Sequence, residues 1–185
     1  MSTQLLTELT LIGSVFLISC IAFRSFRKSN TTGSEKAEKL LTGLLGAFLT
    51  MAGMAKFFDP FTGMFTSQIA MSGLPFPLLA RWVGQLGEIL AGLLFLTALL
   101  ASGRLSDTSA KHLIYGATLL TNIIMLVAIY VHLNPDVPAE VLPLQSKPPV
   151  LTLIVMFITG VNYYLYQNNR ISINNNYSLS TGANK

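Results

Sequence analysis

Five stretches of the chain are strongly apolar, with polar and charged residues concentrated between them. They cover residues 5–23, 40–58, 82–100, 113–133 and 150–166. Each runs for about 17–21 residues, which is the length that a helix needs to cross the hydrocarbon core of a bilayer. The pattern therefore predicts an all-α protein with five transmembrane helices. It predicts a single transmembrane domain over residues 1–167 and a disordered cytoplasmic tail over residues 168–185, because the tail is rich in asparagine and serine.

The composition supports a membrane location. Hydrophobic residues make up 51% of the chain and charged residues only 11%, against about 25% charged residues in typical soluble domains. The net charge of +4 does not indicate nucleic acid, because the basic residues lie at the ends of the apolar stretches and form no dense patch with aromatic side chains. The predicted partner is the lipid bilayer.

Basic residues occur mainly on one side of the predicted helices. The connections after the first, third and fifth stretches contain Arg24, Arg27, Lys28, Lys36, Lys39, Arg104, Lys111, Arg170 and Lys185, whereas the other connections contain Arg81 and Lys147. Positively charged loops stay in the cytoplasm. We therefore expect the N-terminus outside and the C-terminus inside, in a multi-pass protein of the bacterial cytoplasmic (inner) membrane.

The first stretch has an alternative interpretation, since residues 17–20 read Leu-Ile-Ser-Cys and resemble a relaxed lipoprotein cleavage site. A secretory signal begins with a basic segment, but residues 1–7 contain no basic side chain and Glu8 follows them. We expect an uncleaved anchor, and lipidation of Cys20 stays open. A lone cysteine also excludes an intramolecular disulfide.

A short helix is predicted on the outer side, over residues 60–71. Pro60 suits the first helical position, Asp59 suits the cap, and Gly73 marks the end. The apolar side of this helix would lie on the membrane surface or over the mouth of the bundle. It is therefore either a lid or an interfacial tether between two spans.

Glu88 is an acid within the apolar stretch 82–100. Ionisable residues inside a membrane are costly and indicate a functional site that faces a partner or a cavity. Glu88 lies six residues after Trp82, roughly 9 Å below the outer end of its helix. Lys56 and His132 lie near the outer ends of the second and fourth stretches. Because Cβ atoms tilt toward the N-terminus of a helix, these three side chains lean toward one another.

This convergence predicts a polar pocket in the outer half of the bundle. Gln85 lies one turn above Glu88, and two further charged residues lie close to the membrane surface. The predicted ligand-binding core is Lys56, Gln85, Glu88 and His132, with Asp59 and Arg81 at the rim. No metal site is predicted.

A purely structural interpretation of the same residues stays open. An ion pair between Lys56 and Glu88 would satisfy two buried charges and set the helix register without binding any ligand. Such a pair is weak evidence for stability, because desolvation offsets the attraction.

The motifs Gly46-x6-Gly53-x2-Lys56-Phe57-Phe58, Gly73-Leu74-Pro75 and Gly87-Glu88-Ile89-Leu90-Ala91-Gly92-Leu93-Leu94 resemble those of the DoxX-like family. The resemblance covers about residues 40–166. It implies a four-helix membrane bundle with a lysine near the end of its first helix and a glutamate in its second, at the positions of Lys56 and Glu88. The chain departs from the family pattern by the additional N-terminal span 5–23, and by Thr42 where the family often has an arginine.

The resemblance implies two functions. Members of the family are similar to the small membrane subunit of a thiosulfate:quinone oxidoreductase, which implies a membrane or redox partner protein. The predicted pocket suits an amphipathic ligand such as a quinone or lipid. Other members of the family resemble assembly factors, which need no catalytic residue. The sequence contains no Cys-x-x-Cys, no pair of mid-span histidines for haem and no glycine-rich nucleotide motif, so enzymatic activity stays open. Transport is the least favoured function, because no broken helix or inverted repeat is evident.

Overall fold

The regular elements of the chain are helices. The computed structural model describes residues 3–26 and 32–182, and within these ranges it contains no strand. The six α-helices are α1 (Thr3–Phe26), α2 (Gly33–Ala55), α3 (Phe61–Met71), α4 (Pro77–Leu100), α5 (Asp107–Leu133) and α6 (Val150–Gly182), and two short 3-10 turns, Ala139–Val141 and Pro143–Gln145, precede α6. The predicted all-α class is confirmed.

Three of the described helices are long and apolar enough to cross a membrane. These segments are Pro77–Leu100, Asp107–Leu133 and Val150–Ser172. Their outward faces carry exposed apolar side chains such as Leu90, Leu126 and Phe157, and an apolar surface of this kind suits lipid. The protein is therefore a multi-pass membrane protein, whereas the further spans in α1 and α2 and the direction of insertion stay predictions.

Helices α2, α4, α5 and α6 surround the main core. The fully or nearly fully buried apolar side chains come from all four of them: Leu45, Leu49, Ala91, Phe95, Ala98, Ile114, Ala117, Met125, Val155 and Tyr166. Helix α1 packs on the outside of this bundle, mainly against α2, and α3 packs against α4.

Helices α2 and α4 approach each other closely through three glycines. A Cβ atom placed on Gly92 would lie 2.5 Å from the backbone nitrogen of Thr50 and 2.7 Å from the carbonyl oxygen of Gly46. A Cβ atom on Gly53 would lie 3.0 Å from the carbonyl oxygen of Gln85. Small residues let membrane helices pack backbone to backbone, and this contact brings the end of α2 beside the first half of α4.

Two ends of the bundle can be distinguished. We call them the Lys56 end and the Asn169 end, after a residue at each. Helices α2 and α5 terminate at the Lys56 end, and helices α4 and α6 begin there. Helix α3 and the loop 134–149 cover the Lys56 end through a second apolar cluster of Ile69, Val131, Val137 and Leu142. Asn134 and Tyr130 donate hydrogen bonds to the carbonyl oxygen of Ser72 at 2.7 and 3.1 Å, which ties the two covering segments together.

The start of α3 differs from the expected cap. Pro60 is the capping residue and no side chain bonds to the first turn. The amide of Thr62 donates instead to the carbonyl oxygen of Phe58 at 3.1 Å. The capping role expected for Asp59 is therefore wrong, because backbone groups already accept from this turn and the Asp59 side chain is exposed.

Helix α6 is longer than the predicted span 150–166 and includes most of the segment predicted as a disordered tail. At the Asn169 end, Asn169 accepts a hydrogen bond from Ser34 and donates one to Glu38, both at 2.7 Å. Arg170 forms an ion pair with Asp107. These contacts with α2 and α5 stabilise α6 beyond residue 166, although the local composition is polar.

Burial raises the pKa of the Glu38 carboxyl above its usual value, and the hydrogen bond from Asn169 and the nearby charges of Arg170 and Lys39 offset this only in part. The folded state then holds the proton more tightly than the unfolded state, so stability falls as pH rises through the pKa of the folded state. We expect Glu38→Gln, whose amide oxygen can still accept from Asn169, to raise the thermal unfolding temperature at pH 8 and to have little effect at pH 4.

Thermal unfolding in detergent at both pH values tests this expectation. Glu35→Gln is the matched control, because it changes a carboxylate one turn earlier on α2 and leaves the Asn169 bond intact. An equal gain for Glu38→Gln at the two pH values would contradict the assignment.

Candidate functional site

The centre of the candidate site is the ion pair of Lys56 and Glu88. The Lys56 Nζ lies 2.5 Å from the Glu88 Oε2, and the two side chains are only 18% and 11% exposed. The same ammonium lies 4.0 Å from the ring centroid of Phe65, which is within the range of a cation–π contact. The close α2–α4 packing and the cover of α3 therefore place two opposite charges together in a largely dehydrated region.

A cavity of about 460 Å³ adjoins this pair. All six helices contribute to its wall, and most of the lining side chains are apolar. The polar residues that line it are Glu8, Lys56, Gln68, Glu88, Thr152 and His132. Its volume lies within the roughly 300–1,000 Å³ typical of ligand pockets, which are also mostly apolar with a few polar groups.

His132 lines the cavity from α5 and is 5% exposed. Its Nδ1 lies 3.4 Å from the carbonyl oxygen of Lys147, and Lys147 itself donates to the carbonyl oxygen of Asn134. The loop 134–149 thus orients the imidazole. When Nδ1 carries the proton and donates to this carbonyl, Nε2 is an acceptor.

Gln85 does not line the cavity, although the sequence analysis places it in the pocket core. It is fully buried, and neither polar atom of its side-chain amide has a hydrogen-bond partner. The cavity side of α4 is formed by Ala80, Val83, Gly84 and Glu88, which lie on successive turns three or four residues apart. Gln85 is one residue beyond Gly84 and therefore about 100° around the helix, where its backbone faces Gly53 of α2.

The two predicted rim residues do not line the cavity either. Asp59 is exposed. The Arg81 guanidinium lies 5.2 Å from the ring centroid of Trp82, and its Nε is buried without a partner. Both residues lie at the Lys56 end, but of the six predicted site residues the structure brings only Lys56, Glu88 and His132 to the cavity.

Sequence reasoning missed Glu8, Gln68 and Thr152 as cavity residues. Glu8 is 8% exposed, and its Oε2 accepts a hydrogen bond from the Leu144 amide at 2.7 Å. The sequence did contain a sign that Glu8 faces the cavity, because Glu8 is an acid within an apolar stretch, as Glu88 is. Gln68 lies on α3 and donates to the carbonyl oxygen of Val141; no periodicity marks it or Thr152 as cavity-facing.

No metal centre is evident in the described part of the chain, where no three His, Cys, Asp or Glu side chains are grouped to hold an ion. The polar groups at the cavity are hydrogen-bonding groups, the carboxylate of Glu8 and the ion pair of Lys56 and Glu88. Such a set can orient the polar head of a bound molecule, while the apolar wall accommodates its remainder.

Fold and cavity together define the protein as a helical membrane protein with a mostly apolar cavity between its helices. No protein-family model matches the chain, and no curated protein or solved structure matches it either.

Proposed function

We propose that the protein is a DoxX-like integral membrane protein that binds a quinone or lipid in the cavity beside Lys56 and Glu88. The observation that carries the proposal is a cavity of about 460 Å³ whose wall is apolar except for a few polar groups. The polar head of the ligand lies against Lys56, Glu88 and His132. The hydrocarbon part lies along apolar residues such as Phe48, Leu120 and Val155, which line the same cavity.

The charges at the cavity favour an uncharged polar head. Lys56 and Glu88 neutralise each other, and Glu8 adds a second carboxylate to the wall. A phosphate group would be dehydrated close to two carboxylates, which is costly without a matching excess of cations. A carbonyl or hydroxyl oxygen can accept from the Lys56 ammonium, and a hydroxyl can donate to the His132 imidazole.

The proposed arrangement in the membrane has five spans. Helices α1 and α2 add to the three apolar helices, with the N-terminus outside and the C-terminus in the cytoplasm of a bacterial inner membrane. The Lys56 end then faces outward. In a quinone-linked redox system the chain would be the membrane subunit, and a partner protein would carry the electron-transfer group.

Glu88→Gln tests the binding site. We expect the amount of quinone or lipid that co-purifies with the protein to fall about tenfold, because the neutral amide lacks the charge that holds the Lys56 ammonium in place, and a hydrogen bond to a charged group contributes roughly 1.5–3 kcal/mol. The measurement is mass spectrometry of organic extracts from purified protein at matched unfolding temperature.

Asp59→Asn is the control, since it makes the same carboxylate-to-amide change outside the cavity. Its ligand content should equal that of the wild type. The proposal is wrong if Glu88→Gln retains as much ligand as the control.

A second function is supported by a specific observation. Lys56 and Glu88 bond directly to each other, so both charges are satisfied without a ligand. This favours a non-enzymatic assembly or interaction factor in which the pair is structural. That function predicts a co-purifying membrane protein whose amount does not depend on either charge, whereas the first predicts a small molecule whose amount does.

A further inference from the structure

We propose that helix α1 is a movable wall of the cavity and that Glu8 holds this wall against the bundle, so that ligands exchange with the bilayer when α1 separates from the bundle. The inference rests on the proposed function, because it concerns the control of access to the same cavity. It assigns a role to the helix that lies outside the four-helix bundle.

Helix α1 contributes little to the main core. All members of the main apolar cluster come from α2, α4, α5 and α6. Among the α1 side chains that the structure describes, Glu8, Val15 and Ser19 are buried, while Phe16 and Leu17 are more than 60% exposed. Separation of α1 would therefore leave the packing of the other four helices in place.

The same helix nevertheless forms one wall of the cavity. Glu8, Leu11, Ile12 and Val15 lie along one side of α1, and all four line the cavity. If α1 moves away, this wall is lost and the space opens toward whatever surrounds α1. For a helix whose other face is apolar and exposed, that surrounding is lipid.

A hydrogen bond links this wall to the loop over the Lys56 end. The Glu8 Oε2 accepts from the Leu144 amide at 2.7 Å. Leu144 and the next residue, Gln145, have φ angles of 57° and 50°, in the left-handed region that costs free energy for residues other than glycine. Nearby Leu142 is fully buried and anchors the loop. Strained residues of this kind persist only when surrounding contacts hold them, and they occur at switch regions.

Cysteine labelling measures the opening without any ligand. In a Cys20→Ser background, Ala52→Cys places a thiol on the α2 wall of the cavity, and N-ethylmaleimide reports its accessibility. We expect Glu8→Ala to raise the labelling rate at least fivefold, whereas Glu8→Gln, whose amide oxygen still accepts from Leu144, should stay within twofold of the parent protein. Ser102→Cys, at an exposed turn, is the control that should not respond to either change.

Ile12→Ala is a second test of the wall and leaves the Glu8 bond intact; it should also speed labelling of the cavity thiol. The inference is overturned if neither Glu8→Ala nor Ile12→Ala changes the labelling rate in folded protein. This outcome differs from a failure of the proposed function. If only the proposed function is wrong, purified protein contains no quinone or lipid, but Glu8→Ala still accelerates labelling.

Discussion

Replacing Glu88 with leucine while Lys56 is kept is expected to lower the free energy of unfolding by about 3–5 kcal/mol, the range found when one partner of a buried ion pair is removed. The Lys56 ammonium would be left at the mostly apolar cavity, 4.0 Å from the centroid of the Phe65 ring. A cation–π contact alone contributes roughly 0.5–2 kcal/mol and does not replace the lost carboxylate. The measurement is unfolding in detergent, followed by circular dichroism.

The double variant Glu88→Leu with Lys56→Met separates the stability of the pair from its function. Removing both charges leaves neither unpaired, so stability should return to within about 1–2 kcal/mol of the wild type, since a buried pair often contributes little net stability. A double variant as unstable as Glu88→Leu alone would contradict this account. If the double variant folds but retains no quinone or lipid, the pair binds ligand; if partner association persists, the pair is structural.

Gly92→Ala is expected to destabilise the protein by about 1–3 kcal/mol or more, which is the usual range for overpacking a core. The new Cβ atom would meet backbone atoms of Thr50 and Gly46 at 2.5 and 2.7 Å. Backbone atoms cannot rotate away as the end of a side chain can, so α2 and α4 must separate. Because the same interface positions Lys56 beside Glu88, we expect ligand content to fall together with the unfolding temperature.

Gly160→Ala is the matched control for this substitution. Gly160 lies within α6, and apart from its chain neighbours and the adjacent backbone of α6 no heavy atom lies within 4 Å of the Cβ position. Alanine also favours helix over glycine by about 1 kcal/mol, so this variant should be as stable as the wild type or slightly more stable. Equal effects of the two variants would show that the α2–α4 contact is not as close as described.

Much of the local structure follows from the sequence. The apolar stretches predicted the main helices. The Thr32-x-x-Glu35 spacing is typical of a helix start, and the Thr32 hydroxyl accepts from the Glu35 amide at 3.3 Å. Helix α3 differs from the predicted 60–71 by one residue at its start. These features depend on local composition and on residues a few positions apart, so the sequence of one segment is enough to predict them.

The site was predictable in part. Helix direction and depth place Lys56, Glu88 and His132 near one another, and each lines the cavity. Gln85 lies on the same broad face of α4 as Glu88, but its side chain does not line the cavity. Which part of that face borders the cavity depends on where α2 and α5 pack against α4. Helical periodicity gives the angle between two side chains and not the identity of their neighbours.

The sequence by itself determined that this protein is helical and suited to a membrane, and that Lys56, Glu88 and His132 lie at similar depth. Only the tertiary structure decided that the six described helices line a cavity at this level, that α1 supplies one wall through Glu8, and that polar contacts at Asn169 and Arg170 extend α6. The physical reason is the range of the interactions. Helix formation and membrane insertion depend on neighbouring residues, whereas the cavity and its wall depend on packing between segments as far apart as Glu8 and Leu144, which only the folded chain brings within 2.7 Å.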